Sequence, residues 1–183
     1  MKESEIPGIL IAMPTLDETY FEKSIILLCN FNAEGAFGLL MNRPSSTKVN
    51  ELLSPEINKK NVFNVPLLIG GPVEPSSFWV LHSPEISTED TTSISPKIKL
   101  SSAKNILSSL SKGQKIDSYQ FGIGYSGWAP GQLDREINEE SWWLGPLDES
   151  ILLEMEYELR WEKTMEALGF DLLSTTFSKK GLV

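Results

Sequence analysis

The glycine-rich segment from Gly122 to Gln132 comes nearest, in residue types and spacing, to a known piece of chemistry. It begins with GIGYSG, which matches the G-x-G-x-x-G spacing of dinucleotide-binding loops. Those loops bind pyrophosphate because a helix opens within the motif and points its first amide groups at the phosphates. Here Trp128, Ala129 and Pro130 come before any predicted helix, so the spacing argues against dinucleotide binding.

The same segment offers a serine nucleophile. Ser126 follows a predicted strand and precedes a predicted helix, which is where the nucleophile of a G-x-S-x-G elbow lies. His82 is the candidate base, with Asp134 or Asp17 as the third member. Trp128 occupies the place of the elbow's final glycine, however, and the strained turn needs small residues there. A tight strand-to-helix turn, with glycines set by backbone geometry, is therefore the preferred interpretation.

Three other places could contact a ligand. Arg43, preceded by Asn42, could bind an anion or pair with a carboxylate. Gly70 and Gly71 could line a cleft, although glycines followed by proline ordinarily mark a turn. His82 ends an apolar run, where a hydrogen-bonded structural histidine is the commoner role. The sequence leaves each of these alternatives open.

Metal and cofactor chemistry finds little support in the composition. The 183 residues contain one cysteine and one histidine, too few for a thiolate or imidazole metal site. No run of acidic residues has calcium-loop spacing. Cys29 ends an apolar run and is predicted to be a small buried hydrophobe. We therefore expect neither a metal nor a cofactor.

Charge and hydropathy indicate a cytoplasmic protein without a membrane span. The N-terminus is polar and acidic, unlike a signal peptide, and no apolar stretch approaches the roughly 20 residues that cross a bilayer. The net charge of −9 disfavours direct binding to nucleic acid. Residues 91–116 nevertheless contain five lysines and no acid, whereas residues 134–162 contain ten acids. Such runs are usually solvated faces.

Apolar runs ended by glycine, proline or polar clusters predict β-strands. They are Gly8–Met13, Ser24–Cys29, Ala36–Met41, Val65–Ile69, Phe78–His82, Tyr119–Ile123 and Ser141–Leu144. The second and third are apolar almost throughout, which is typical of strands covered on both faces. One further short strand is expected in the loop from Ser83 to Pro96.

Helical spacing and capping residues predict the helices. A helical turn is predicted at Val49–Leu53, a helix from Ser101 or Ser102 to Gly113, and another that begins near Pro130.

The stretch from Leu153 to Trp161 fits two structures. Its apolar residues alternate with charged ones, as in a strand, yet Tyr157 and Trp161 also begin a helical repeat. We prefer a short strand at Ile151–Leu153 followed by a helix from about Tyr157. All elements are assigned to a single domain, residues 1–183.

Several stretches, in order, carry a family resemblance. They are GILIAMP from Gly8, GAFGLLMNRP from Gly35, GGPV from Gly70, and GYSGWAPGQL from Gly124. Together they resemble the YqgE/AlgH family of bacterial proteins. The resemblance implies an α+β domain with a mixed, strongly bent sheet, like a partial barrel, flanked by helices. It implies no established enzymatic activity, and one branch of the family is described as transcriptional regulators.

The chain departs from the family pattern at three positions. The family often has Glu-His where this chain has Asn30-Phe31, and arginine where this chain has Ser77. Alanine is common in the family at the position of Ser126, which weakens the nucleophile hypothesis further.

We therefore predict a non-enzymatic cytoplasmic protein, regulatory or interaction-mediating, with a protein or a small molecule as its partner. A small-molecule-binding protein is the first alternative, and a serine hydrolase using Ser126 and His82 is the second. The candidate binding surface groups the polar and glycine positions at which the resemblance concentrates: Asn42, Arg43, Gly70, Gly71, His82, Gly124, Gly127, Trp128, Gly131 and Gln132.

Overall fold

The apolar strand sequences form the centre of one curled sheet. The structure is a computed structural model that describes residues 6–16, 19–55, 57 and 63–170. Its strands are β1 Gly8–Ala12, β2 Ile25–Asn32, β3 Gly35–Leu40, β4 Pro44–Lys48, β5 Pro66–Ile69, β6 Val73–His82, β7 Thr92–Ser93, β8 Lys99–Ser102, β9 Tyr119–Trp128 and β10 Trp142–Pro146. Its helices are α1 Val49–Leu52, α2 Ala103–Ser111, α3 Gln132–Asn138, α4 Glu149–Leu153 and α5 Arg160–Ala167, with 3₁₀ turns at Pro14–Leu16 and Tyr157–Leu159.

The central strands are buried on both faces, as their sequences predict. Along β2, Ile25 and Leu27 belong to one core cluster, whereas Ile26 and Leu28 belong to another. Successive side chains of a strand point to opposite faces, so a continuously apolar strand needs a core on each side. Helices α4 and α5 pack over the first cluster and α3 over the second.

Strand β9 connects the two halves of the sheet. The strand order is β10-β1-β2-β3-β9-β6-β8-β7, and β4 pairs with β5 beside this path. β5 runs parallel to β9, whereas the other pairings are antiparallel. The sheet is therefore mixed and strongly curled into a half-barrel, which confirms the predicted α+β fold class.

Two element predictions are wrong. The strand predicted at Ile151–Leu153 is instead part of α4, because the Asp148 carboxylate caps the helix by accepting a hydrogen bond from the Ser150 amide. β9 continues five residues beyond Ile123 to Trp128, so most of the glycine-rich segment is strand and the turn is confined to residues 129–131. The predicted turn at α1, the helix α2, the helix after Pro130 and the helix that starts near Tyr157 are confirmed.

Helix α5 is fastened to the strand ends by Arg160. This side chain is fully buried and donates to the carbonyls of Met41 and Met155, while its guanidinium lies 4.5 Å from the centre of the Tyr157 ring. Burial lowers the pKa of Arg160 to about 10. The group stays charged at neutral pH and holds the end of β3 against α5.

Candidate functional site

Four of the glycines that the sequence singles out form a packed block, which we call the glycine block: Gly70, Gly71, Gly122 and Gly124. A Cβ atom would lie 2.4 Å from the Gly124 carbonyl oxygen if built on Gly70, and 2.2 Å from the Tyr125 carbonyl if built on Gly71. Two backbones and a tryptophan ring thus approach more closely here than any side chain permits. Gly70, Gly71 and Gly124 are buried in this contact and do not contribute to a surface.

The tryptophan that fills the glycine block is Trp79. Its ring lies where a side chain on Gly122 would be, 2.1 Å from that Cβ position, and its indole N–H donates to the Gly124 carbonyl at 2.8 Å. The block is therefore a device for packing β6 against β9.

Asn42 and Arg43 clamp a neighbouring loop. The Asn42 side chain accepts from the Ile25 amide at 2.9 Å and donates to the Lys23 carbonyl at 2.8 Å. The Arg43 guanidinium donates to the Tyr20 carbonyl at 2.9 Å and lies 5.2 Å from the centre of the Tyr20 ring. Among the residues that the structure describes, both side chains bond to the backbone of this loop, and Arg43 forms no ion pair with a carboxylate there.

His82 is a structural histidine. It is 1% exposed, and its Nδ1 lies 2.8 Å from the Ser83 carbonyl, which can only accept, so Nδ1 carries the proton. Nε2 then accepts from the Ser101 hydroxyl at 3.0 Å, and that hydroxyl lies 2.7 Å from Thr91 Oγ1. Burial lowers the pKa of His82 below its ordinary value and keeps the ring neutral.

The hydrolase pairing of Ser126 with His82 is wrong. Ser126 is fully buried and its hydroxyl donates to the Gly70 carbonyl at 3.1 Å. His82 pairs with Tyr119, at the opposite end of β9 from Ser126. At roughly 3.3 Å per residue the two positions are separated by about 23 Å of strand. His82 therefore belongs neither to a catalytic pair nor to the same surface as Trp128.

The turn after β9 is held by Glu136, which sequence reasoning did not single out as a site residue. Its carboxylate accepts from the indole N–H groups of Trp128 at 2.8 Å and Trp142 at 2.9 Å, and from the Gln132 amide at 2.8 Å. Gly131 adopts φ 72° just before α3. Buried indoles require an acceptor, and that requirement was the available signal for Glu136.

An open groove lies at the tip of the β2–β3 hairpin, where it meets the end of β9. β6 pairs with β9 only as far as Val73 and Tyr125, so the last residues of β9 pair with β3 alone in the described part of the chain. We call this space, of about 490 Å³, the hairpin groove. Its walls are Asn30, Asn32, Glu34, Gly35, Ala36, Phe37, Val73, Tyr125, Gly127 and Trp128.

Gly127 lines the hairpin groove at a position where any other residue would place a side chain. Asn30 pairs with Phe37, and Phe37 pairs with Gly127, which places the three in one row across the sheet. Gly127 is exposed and its φ is not in the left-handed region. A Cβ atom there would meet only side chains, the nearest being Tyr125 Cε2 at 3.3 Å. Unlike the glycine block, this position does not need glycine for its backbone.

The described residues that line the groove are mainly polar and aromatic, and none of them is basic. The Phe37 and Tyr125 rings pack together with their centres 5.1 Å apart. Asn32 accepts from the Glu34 amide at 2.8 Å, which shapes the hairpin turn and leaves the Glu34 carboxylate exposed. No lysine, arginine or histidine is among the residues that line it.

A second cavity, which we call the β10 cavity, has a different character. It measures about 230 Å³ and lies between β1, β10, α4 and α5. Its walls are mainly apolar, including Ile9, Ile11, Trp143, Ile151 and Met155, and its polar residues are Asp148, Ser150, Lys163 and Thr164.

Cys29 lies at the irregularity of β2 between Leu28 and Asn30, next to the groove but not among its lining residues. Burial raises the pKa of its thiol far above the ordinary value, so it is not a reactive thiolate at neutral pH.

Among the described residues, no group of three or more His, Cys, Asp or Glu side chains could hold a metal ion. Within that same part of the chain, no helix is both long and apolar enough to cross a membrane.

Residues 9–173 match the family described as DUF179, AlgH-like. The chain belongs to the AlgH-like family. It is similar to UPF0301 proteins of Shewanella loihica, at 36% identity over 90% of this chain and 91% of the relative, and of Methylococcus capsulatus, at 34% identity over 89% and 88%.

Two solved structures share the fold. The solution structure of the AlgH protein from Pseudomonas aeruginosa has a TM-score of 0.74 and 28% identity, covering 98% of this chain and 100% of that one. A crystal structure of a protein from Corynebacterium diphtheriae has a TM-score of 0.71 at 21% identity, covering 88% and 85%. The names of these proteins specify no activity or partner.

Proposed function

We propose that this AlgH-like chain is a non-enzymatic, cytoplasmic interaction protein with a regulatory role, and that it binds a partner protein through the hairpin groove. The observation that carries the proposal is Gly127. An exposed glycine inside a strand, at a position whose backbone does not require it, is typical of a site where another molecule approaches closely.

The fate of the candidate catalytic groups supports a non-enzymatic role. Ser126 and His82 form hydrogen bonds to the chain's own carbonyl and hydroxyl groups, and Arg43 donates to the Tyr20 carbonyl. A catalytic residue needs a proton, a lone pair or a charge that can reach a substrate. Ser126 and His82 are buried, and His82 pairs with the end of β9 opposite to Ser126, so neither residue meets this condition.

Regulation through a partner protein fits the chain better than regulation through direct DNA binding. In the lysine-rich stretch, Lys97 forms an ion pair with Glu149 at 3.2 Å, and Lys99 donates to the Pro84 carbonyl at 3.0 Å. The ion pair offsets the charge of Lys97, and the net charge of −9 opposes the attraction of the whole chain to phosphates.

The test is position-specific crosslinking in cells. A photo-crosslinking amino acid replaces Asn30 in the groove or, as a matched control, Asn138, which is exposed on α3. We expect a discrete crosslinked protein from position 30 that is absent from position 138 and is lost when Gly127→Leu fills the groove. Identical crosslinks from both positions, or crosslinks unaffected by Gly127→Leu, would rule the groove out as the binding surface.

A folded-state control accompanies Gly127→Leu. The atoms nearest to a Cβ at this position belong to the side chains of Tyr125 and Val73 and not to the backbone, so we expect the variant to retain the wild-type circular dichroism spectrum. Gly127→Ala, which fills less of the groove, should reduce the crosslink only in part.

Small-molecule binding is the second candidate function, and the β10 cavity favours it. Its volume of about 230 Å³ compares with the about 150 Å³ that suffices for benzene in an engineered apolar cavity. Native mass spectrometry of the purified protein should then show a retained ligand that disappears when Ala167→Phe places a large ring at the cavity lining. A wild-type mass equal to that of the bare chain would count against this candidate.

A further inference from the structure

The hairpin groove lacks a positive charge but contains a negative one. Glu34 has no cationic side chain within ion-pair distance among the described residues, and none lines the groove. An occupant with a negative charge would therefore bring two like charges together, whereas a cation would be attracted. An exposed ion pair contributes little by itself, so the rest of the groove must also favour a cation.

The aromatic wall supplies that second preference. Phe37 and Tyr125 lie side by side on the Gly127 face of the sheet, and both are half-buried, so their rings are held in place and remain partly accessible. Cations bind over such rings because the ring face carries partial negative charge, and arginine does so most often. Rings that are fixed by packing lose little entropy when a ligand binds.

The side-chain amide oxygen of Asn30 is the third feature of the groove that favours a cation. Asn30 lines the groove in the same cross-strand row as Phe37 and Gly127, and within the described residues the structure gives its side chain no hydrogen-bond partner. A guanidinium is planar, donates from several N–H groups in a fixed fork, and stacks on aromatic rings. It can therefore use ring and oxygen acceptors together, which an ammonium group does less well.

We propose that the hairpin groove binds an arginine side chain of the partner protein, stacked beside Phe37 and Tyr125, with its N–H groups donating to Glu34 and Asn30. The empty space over Gly127 provides the room for it. The inference rests on the proposed function, because it names the chemistry of the partner that the groove receives.

The test is a ¹⁵N NMR titration of the full chain with four capped amino acids: N-acetyl-arginine amide, N-acetyl-lysine amide, N-acetyl-citrulline amide and N-acetyl-leucine amide. Citrulline has the shape of arginine without its charge. We expect arginine to shift the amide signals of Gly127 and Tyr125, with an affinity at least fivefold higher than that of citrulline and higher than that of lysine. The arginine affinity should fall as salt is raised.

Matched variants locate the effect. Glu34→Gln should lower the arginine affinity severalfold and leave citrulline unchanged, whereas Glu139→Gln, which removes an exposed carboxylate outside the groove, should change neither. Gly127→Leu should abolish the shifts for all ligands. Wild-type dispersion of the remaining signals shows that each variant is folded.

The outcomes separate this inference from the proposed function. Equal binding of citrulline or leucine, a preference for lysine, or no shift near Gly127 with any ligand would overturn the arginine inference. Crosslinking from position 30 that is lost in Gly127→Leu would still support a protein partner of different chemistry. Conversely, arginine binding without such crosslinks would support the cation site and overturn the proposed interaction.

Discussion

The glycine block and the hairpin groove both contain glycines of β9, but these glycines serve opposite purposes. Gly122 and Gly124 stand where a tryptophan ring and a backbone carbonyl fill the space that a side chain would need. Gly127, on the same strand, stands beside an open groove in which only neighbouring side chains would have to move. The role of each glycine in the motif therefore follows from the atoms that lie where its Cβ would be. Spacing alone does not distinguish packing from binding.

The largest expected effect comes from a side chain inside the glycine block. Gly71 has φ 152°, and a Cβ there would lie 2.2 Å from backbone atoms that cannot move independently of β9. Gly71→Ala should therefore lower the free energy of unfolding by about 3 kcal/mol or more. Urea denaturation monitored by circular dichroism measures it. A loss below about 1 kcal/mol would mean that the block is not rigid and would break the comparison.

The next effect concerns the turn that follows the groove. Glu136→Ala removes the acceptor of the Trp128 and Trp142 indole N–H groups, both on largely buried rings. Leaving them unsatisfied should cost about 2 to 3 kcal/mol of stability. Glu136→Gln, which keeps one acceptor oxygen, should cost less. If the two variants are equally destabilised, the contribution of Glu136 comes from its charge and not from its hydrogen bonds.

A smaller effect on stability is expected on acidification, and it involves His82, which pairs with the first residue of β9. Burial lowers the pKa of His82 in the folded chain, so the unfolded chain binds the proton more tightly. The contribution to stability is complete above the unfolded pKa of about 6.5 and declines as the pH falls below it. The free energy of unfolding should decrease from pH 7.5 to pH 5.5, and His82→Gln should flatten that slope. An unchanged slope in His82→Gln would assign the acid sensitivity to other groups.

The smallest effect is expected at the groove itself. Gly127→Ala places a methyl group 3.3 Å from Tyr125 Cε2, a contact that a shift of the ring by a few tenths of an ångström relieves, so its free energy of unfolding should stay within about 0.5 kcal/mol of wild type. Arginine affinity should fall, because the methyl group occupies part of the groove. This variant and Gly71→Ala form a matched pair measured under identical conditions. A large stability loss in Gly127→Ala would place Gly127 with the glycine block.

Much of the fold was predictable because a buried strand has a local sequence signal, a short run of apolar residues. The apolar run of β2 indicated a strand with a core on each face, and both cores are present. The extension of β9 to Trp128 was not predicted, because the sequence GYSGW is typical of a turn. It forms a strand here because β3 pairs with it. The helical state of residues 149–153 depended on the Asp148 cap, a signal that alternation of side chains obscured.

The candidate site was only partly predictable. Gly127 and Trp128 do line the hairpin groove, but Asn42 and Arg43 clamp a loop, and His82 lies at the far end of β9. The residues that give the groove its chemistry were not selected: Asn30, Asn32, Glu34, Phe37 and Tyr125. They come from three strands and the β2–β3 turn, and nothing in a single sequence reports which residues of separate strands share a row.

The sequence by itself determined most of the strands, most of the helices and the family, because each depends on residue types at short spacing. Tertiary structure alone decided which glycines are packed and which is open, and which polar side chains are already bonded. Both depend on contacts between positions far apart in the chain, such as Gly70 with Gly124 or Phe37 with Gly127. The glycine-rich segment contains both packed glycines and an open one, and only the pairing of strands across the sheet distinguishes them.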